Sequence, residues 1–393
     1  MTVKSALSGI LMMTLVTMSV CQVQEQERQM QAMNRQLRAT EELSSTLQQN
    51  LSHRDEMIAS LRDSHTTQQR ELQELKQHAK TPETPPPVMK LLPGVLRLTW
   101  TPLQESKHRM MRGSSAIKEQ KVYFRPGDSS DVTEFNLDDE KWSTLPKCPQ
   151  ELFALVVVGD LVTAVGGQRD GVPTNLLQSL VEKDGEIQWS QYFPSMPTKR
   201  MLPAVAATPQ CLIVAAGRTG VGLGTKLTTV EVLDIKSLQW SAANSLPQPV
   251  SSMSATIWEG DFYLLGGYVE DGRTQSVFMC PVSALYHRAH TFKQRLKNRS
   301  RSNSDSWRKV AYVPSYRSTC VTFAGKLLAV GGNDSSGNPT SAVHQYHPGS
   351  NSWRVISHMT SPHDDCLVAP LPGHRLMVVG GRNTNSIEIA SIG

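Results

Sequence analysis

Cysteine is scarce in this chain: six residues in 393, none of them in a C-x-x-C pair. Cys21, Cys148, Cys211, Cys280, Cys320 and Cys366 are too few for a disulfide-stapled scaffold, and their spacing offers no zinc site. No apolar run reaches the roughly 18–20 residues of a membrane-spanning helix, which excludes a multispanning protein. Residues 22–80 contain neither Gly nor Pro, so nothing in that stretch interrupts a helix. What is present is enough apolar material for a core. Hydrophobic residues make up 39% and charged residues 19%, which excludes a wholly disordered chain.

Four zones follow along the chain. Residues 1–21 carry Lys4, an apolar stretch from Ala6 to Val20, and small residues at cleavage offsets, Ser19 and Cys21. The stretch resembles a signal peptide, diluted by Ser8, Gly9, Thr14 and Thr17 and without an A-x-A cleavage site. Cytoplasmic location is the expectation, with secretion the alternative if residues 1–21 are cleaved. Residues 22–80 show a heptad ladder: Met30, Leu37, Ser44, Leu51, Ile58, His65, Leu72 and Ala79 in one row. Met33, Thr40, Leu47, Arg54, Leu61, Gln68 and Leu75 form the other. Apolar side chains every 3.5 residues form a seam that is buried only against another helix, so a coiled coil and a homo-oligomer are expected. Thr40, Ser44, Arg54, His65 and Gln68 make the seam only moderately stable. His53-Arg54-Asp55 has the letters of a kinase catalytic loop, but no D-F-G segment or Gly-rich phosphate loop follows. Residues 81–94 hold Pro82, Pro85, Pro86, Pro87 and Pro93 and read as a stiff, extended linker.

Residues 95–393 repeat. An apolar run ending in glycine recurs as LVTAVGG (Gly166, Gly167), FYLLGG (Gly266, Gly267), KLLAVGG (Gly331, Gly332) and RLMVVGG (Gly380, Gly381). Degenerate copies end at Gly217 and Gly127. In phase with these marks stand Trp142, Trp189, Trp240, Trp307 and Trp353. Strand-like segments such as DVTEFNL, TTVEVLDI and SAVHQYHP separate the two marks, and a Pro-containing break follows each Trp. Units of four short strands with turns between them are the pattern of a propeller blade. Gly permits close backbone approach where blades converge, and Trp supplies apolar area between blades. Trp258 is out of phase and reads as ordinary packing. The last unit has SIEIAS but no Trp, whereas VLRLTWTPL with Trp100 stands ahead of the first unit. Strand 95–103 is therefore expected to complete the final blade and close an all-β, six-bladed ring.

These phased units resemble the kelch-repeat β-propellers, over about three quarters of the chain. The resemblance implies a non-enzymatic scaffold or adaptor that binds a protein partner through one loop face. Kelch propellers also serve as substrate-recognition parts of ubiquitin ligases. The first 94 residues are too helical and too short for the BTB region usual there, so that role would need a recruited partner. Copper-radical oxidases of the galactose-oxidase kind share this propeller, but their phased Tyr and His ligands are not recognisable, and sialidase-type Asp boxes are absent. No enzymatic activity, catalytic residue, cofactor or metal is expected. His344 and His347 lie three apart on a predicted strand and so point to opposite faces, poor geometry for one metal. His363-Asp364-Asp365 reads as a polar loop.

Loops after the second strand and loops between blades share one face, because strands alternate in direction. That face collects Arg169, Arg218, Arg273 and Arg382 from the first kind of loop, and Lys199, Arg200 and Arg317 from the second. Such a ring suits bidentate bonds to an acidic partner segment. Solvated loop arginines are the plainer alternative, and Asp170, Asp271 and Asp334 partly neutralise the ring. The formal charge of +5 is concentrated elsewhere. Residues 287–309 hold eight Lys and Arg against one Asp, a local +7, which leaves about −2 for the rest. This basic insertion, about 287–306, is expected to be a disordered or loosely helical loop, with Ser300, Ser302 and Ser304 as possible phosphorylation sites. Neither nucleic acid nor a membrane is expected as a partner. Sequons at Asn50, Asn298 and Asn333 decide little.

Overall fold

A computed structural model describes residues 30–31, 33–34, 96–103, 105–106, 113–127, 129–220, 225–290, 307–382 and 384–393. Pro93–Gly393 forms one compact unit. It contains six four-stranded antiparallel sheets, here called blades 1 to 6 in chain order. Blade 1 comprises Ser114–Lys118, Lys121–Arg125, Thr133–Asn136 and Lys141–Thr144. Blade 2 comprises Ala154–Val158, Leu161–Val165, Leu177–Lys183 and Glu186–Ser190. Blade 3 comprises Ala204–Ala207, Cys211–Ala215, Val230–Asp234 and Gln239–Ala242. Blade 4 comprises Ser254–Trp258, Asp261–Leu265, Val277–Pro281 and Arg308–Val310. Blade 5 comprises Thr319–Phe323, Lys326–Val330, Thr340–His347 and Ser352–His363. Blade 6 comprises Leu367–Leu371, Arg375–Val379, Ile387–Ile392 and Leu98–Leu103.

The burial of each strand explains its composition. Second strands such as Cys211–Ala215 and Lys326–Val330 are buried on both faces between neighbouring blades, so they read as continuous apolar runs. Outer strands are exposed except near the Trp: in Glu186–Ser190 only Trp189 is half-buried. Glu259-Gly260 and Ala324-Gly325 take positive φ at both central positions of their hairpin turns, the primed geometry that matches strand twist. Six apolar clusters lie one between each pair of successive blades, and the innermost strands neighbour one another in unbroken cyclic order.

Leu98–Leu103 pairs antiparallel with Ile387–Ile392, and Trp100 faces Ala390. The ring closes as the repeat pattern predicts, with the strand starting at Leu98. Leu96 is buried in the cluster between blades 5 and 6. The expected disordered or loosely helical insertion in blade 4 is described only at its start, which is helical. The third strand runs directly into helix α1, Val282–His290, and Leu285 is fully buried between blades 3 and 4. The Tyr286 hydroxyl donates to Asp234. Ser300, Ser302 and Ser304 lie outside the described residues. So do residues 1–21, the linker 81–94 and all of the seam except Met30 and Met33, which are helical and exposed.

The tryptophans do more than add apolar area. The indole N–H of Trp189 donates to the Pro146 carbonyl at 2.7 Å, that of Trp240 to Pro194 at 2.8 Å, and that of Trp307 to Asn244 at 2.8 Å. Each acceptor follows the outer strand of the preceding blade. Trp100 makes the same step to the Ser357 hydroxyl of blade 5 at 2.9 Å. Four blades are thus latched to the blade before them. Trp258 bridges forward instead, donating to Gly325 of blade 5 at 3.0 Å and packing on Tyr263 and Tyr346.

Candidate partner-binding face

The diglycine builds the face. A Cβ on Gly267 would stand 2.6 Å from the Ser251 carbonyl, and one on Gly166 would stand 2.6 Å from the Arg200 carbonyl. Both residues also hold positive φ, so only glycine fits without strain. In blade 3 Ala216 occupies the first glycine's place at φ 59°. The residue after each second glycine pairs with the segment leading into its own blade: Gln168 with Glu151, Arg218 with Met201, Tyr268 with Ser251, Asn333 with Tyr316. Close approach at the glycines therefore brings both kinds of loop to one rim around the central axis.

A cavity of about 880 Å³ opens at that rim. Arg125, Arg218, Lys226, Arg273 and Arg317 line it, against the carboxylates Glu270 and Asp365. Apolar and hydroxyl side chains of the innermost strands form its deeper walls. Cys320 and Cys366 are among them, buried thiols pushed up to about 12 by burial and so inert at neutral pH.

The arginines expected at the rim fall into different environments. Arg200 is fully buried and does not reach the rim. Its guanidinium pairs with Glu231 at 2.9 Å and donates to the Ala216 carbonyl at 2.8 Å and to Thr229, tying the lead-in of blade 3 to the third strand of that blade. Arg317 lines the cavity but is partnered: Asp365 at 2.8 Å and the Tyr268 hydroxyl at 2.8 Å. Burial alone would lower its guanidinium, yet Asp365 and Tyr268 hold it above its usual value. Arg382 stands 3.5 Å from Asp364 and 4.0 Å from Asp365, so blades 5 and 6 meet in a neutral cluster of two arginines and two aspartates. Arg169 and Arg273 are exposed on hairpin tips, Arg169 donating to the Pro149 carbonyl at 3.2 Å. Lys199 is also exposed. Only Arg218, Arg273 and Arg317 of the six expected arginines line the cavity.

Comparison with known proteins points the same way. A family model described as "Kelch motif" matches residues 314–360, the span from the lead-in of blade 5 through its outer strand. The chain is a kelch-repeat β-propeller protein. Kelch-like protein 35 of Mus musculus is 33% identical over 141 residues, covering 35% of this chain and 23% of the relative. Kelch-like protein 40 of Xenopus tropicalis is 28% identical over 130 residues, covering 33% and 20%. Kelch repeat protein M-T8 of Myxoma virus is 23% identical over 252 residues, covering 64% and 43%. The matched stretch thus spans about a fifth to a quarter of the length of the kelch-like relatives.

Within this kelch propeller, three cavity residues escape the repeat pattern. Arg125 stands where other second strands end in an apolar residue, facing Ser114 as Val165 faces Ala154. Buried, it lies over the Phe153 ring at 5.3 Å. Its signal was the odd arginine in KVYFRPG. Lys226 lies beyond Gly224 in RTGVGLGTK, far enough from the diglycine to look like part of the next strand. Tyr268 follows Gly267 directly, at the position Arg218 takes in blade 3.

Proposed function

We propose that this kelch propeller is a protein-interaction adaptor that binds an acidic segment of a partner at its loop face. Kelch propellers generally bind protein partners, and kelch-like proteins are generally non-enzymatic. The observation that carries the reading is the cavity itself, which five cationic side chains line against two carboxylates. An excess of fixed positive charge steers and orients carboxylates, and Arg forks bind them bidentately. Affinity capture with the full-length chain tests this. Arg218→Glu with Arg273→Glu should release the partners that the wild type retains, and binding should weaken as salt rises. Unchanged capture by the double variant rejects the reading.

The heptad seam of residues 22–80 is proposed to oligomerise the chain and so to multiply weak sites by avidity. Met30 and Met33 support it, being helical and exposed at 55% and 64%. Sedimentation should show Leu47→Asp with Leu61→Asp dissociating the oligomer. Cytoplasmic location is proposed on the five free, buried cysteines among the described residues. A glycosidase-sensitive mass shift would contradict it.

A further inference from the structure

Arg218 and Lys226 face each other across an antiparallel bridge on the hairpin between the second and third strands of blade 3. The flanking bonds run from Thr219 N–H to the Thr225 carbonyl and from Leu227 N–H to the Gly217 carbonyl, both 2.9 Å. Arg218 and Lys226 are therefore a non-hydrogen-bonded pair, the arrangement that brings opposed side chains closest. Like charges in that position repel and destabilise the strand pair. Among the described residues neither side chain has a hydrogen bond or an ion pair, and Arg218 Nε is buried without a partner. Both side chains line the cavity.

Four other arginines of this face have acidic neighbours. Arg317 and Arg382 share Asp364 and Asp365. Arg169 is followed by Asp170, and Arg273 is preceded by Glu270 and Asp271. The blade 3 hairpin, from Arg218 to Lys226, contains no acidic residue at all. Among the described residues, Arg218 and Lys226 are two cations held side by side there without an ion-pair partner.

We infer that the Arg218–Lys226 pair is a subsite for a phosphate monoester carried by a side chain of the partner protein. Two adjacent cations match a group of charge about −1.5 to −2 with three acceptor oxygens better than they match a single carboxylate. Arg218 supplies the planar fork and Lys226 the point charge. Ligand binding also removes the repulsion between the two. The inference rests on the loop-face reading above and narrows the acidic segment to a phosphorylated one.

The test titrates the full-length chain with a pentapeptide, Gly-Gly-phosphoserine-Gly-Gly, with its glutamate counterpart and with inorganic phosphate, by calorimetry at low salt. The phosphopeptide should bind about tenfold or more tightly than either of the others, a difference of about 1.4 kcal/mol. Arg218→Gln and Lys226→Gln should each abolish the preference. Lys236→Gln, in the turn at the other end of the blade, should leave it intact. Lys226→Gln removes a repulsion, so its melting temperature should equal or exceed that of the wild type, and lost binding is then not lost folding. Equal affinity for the phosphopeptide and the glutamate peptide overturns the inference. So does tighter binding of inorganic phosphate, or a preference that survives both substitutions. If partner capture depends on Arg218 and Arg273 but no phosphopeptide preference appears, this inference fails and the acidic-segment reading stands. If capture ignores the charge reversals, that broader reading fails.

Discussion

Glycine and tryptophan set the local rules, and their neighbours test them. Gly267→Ala would drive a Cβ to 2.6 Å from the Ser251 carbonyl in a positive-φ conformation, against backbone that cannot swing away. A loss of about 2–3 kcal/mol is expected in denaturant unfolding. Ala216→Gly should be neutral to slightly stabilising. Relief of a left-handed alanine is worth about 1–2 kcal/mol, and the buried methyl lost is worth about 0.8 kcal/mol. Trp307→Phe removes the N–H donor to Asn244 in a buried setting and should cost about 1–3 kcal/mol. Among the described residues Trp353 has no hydrogen-bond partner for its Nε1, so Trp353→Phe should cost less. Comparing the two melting curves checks whether the indole latch matters apart from ring area. At the same scale, His363 and Glu388 pair at 3.1 Å with both side chains fully buried. Burial alone would raise the Glu388 carboxyl, but His363 and the N–H groups of Thr360 and Ser361 outweigh it and hold it at about 2. A depressed carboxylate contributes stability above its unfolded value, and that stability is lost as pH falls. Wild type should therefore lose stability between about pH 4.5 and 2, and Glu388→Gln should flatten that part of the profile measured by urea unfolding.

At the scale of the element, the blades were legible because their marks are rare residues in fixed phase. Gly and Trp recur at the spacing of a four-stranded sheet, and Trp100 ahead of the first unit announced the shared final blade. What sits around the arginines was not legible. Arg317 and Asp365 are 48 residues apart, one blade away from each other, and no local pattern joins them. Arg200 looked like a loop cation. It occupies the place that Gln150, Val250, Ser315 and His363 hold in other blades, just ahead of each lead-in, and all five are buried. Aligning the units at that position, rather than at the glycines alone, would have placed Arg200 inside. Helix α1 was hidden because its last turn overlaps the basic insertion. Leu285 of this helix is fully buried, which predicts that Leu285→Ala destabilises the chain by about 2–5 kcal/mol, readable as a fall in melting temperature.

For the whole molecule, closure and charge belong to one design. The final blade takes its outer strand from Leu98–Leu103, so deleting residues 98–103 exposes an edge and the cluster between blades 5 and 6. The melting temperature of the full chain should fall markedly; an unchanged melt would show that this pairing does not hold the ring. A closed ring gives the rim a fixed circumference, on which blades 5 and 6 neutralise their cations, blade 4 sets Arg273 near Glu270, and blade 3 leaves Arg218 and Lys226 facing the cavity. Binding should accordingly be lopsided. Hydrogen–deuterium exchange of the full-length chain with and without its captured partner measures that directly. Protection confined to the hairpins at 218–226 and 268–273 is the result this account predicts. Protection on the outer strands or around helix α1, with those hairpins unchanged, would contradict it.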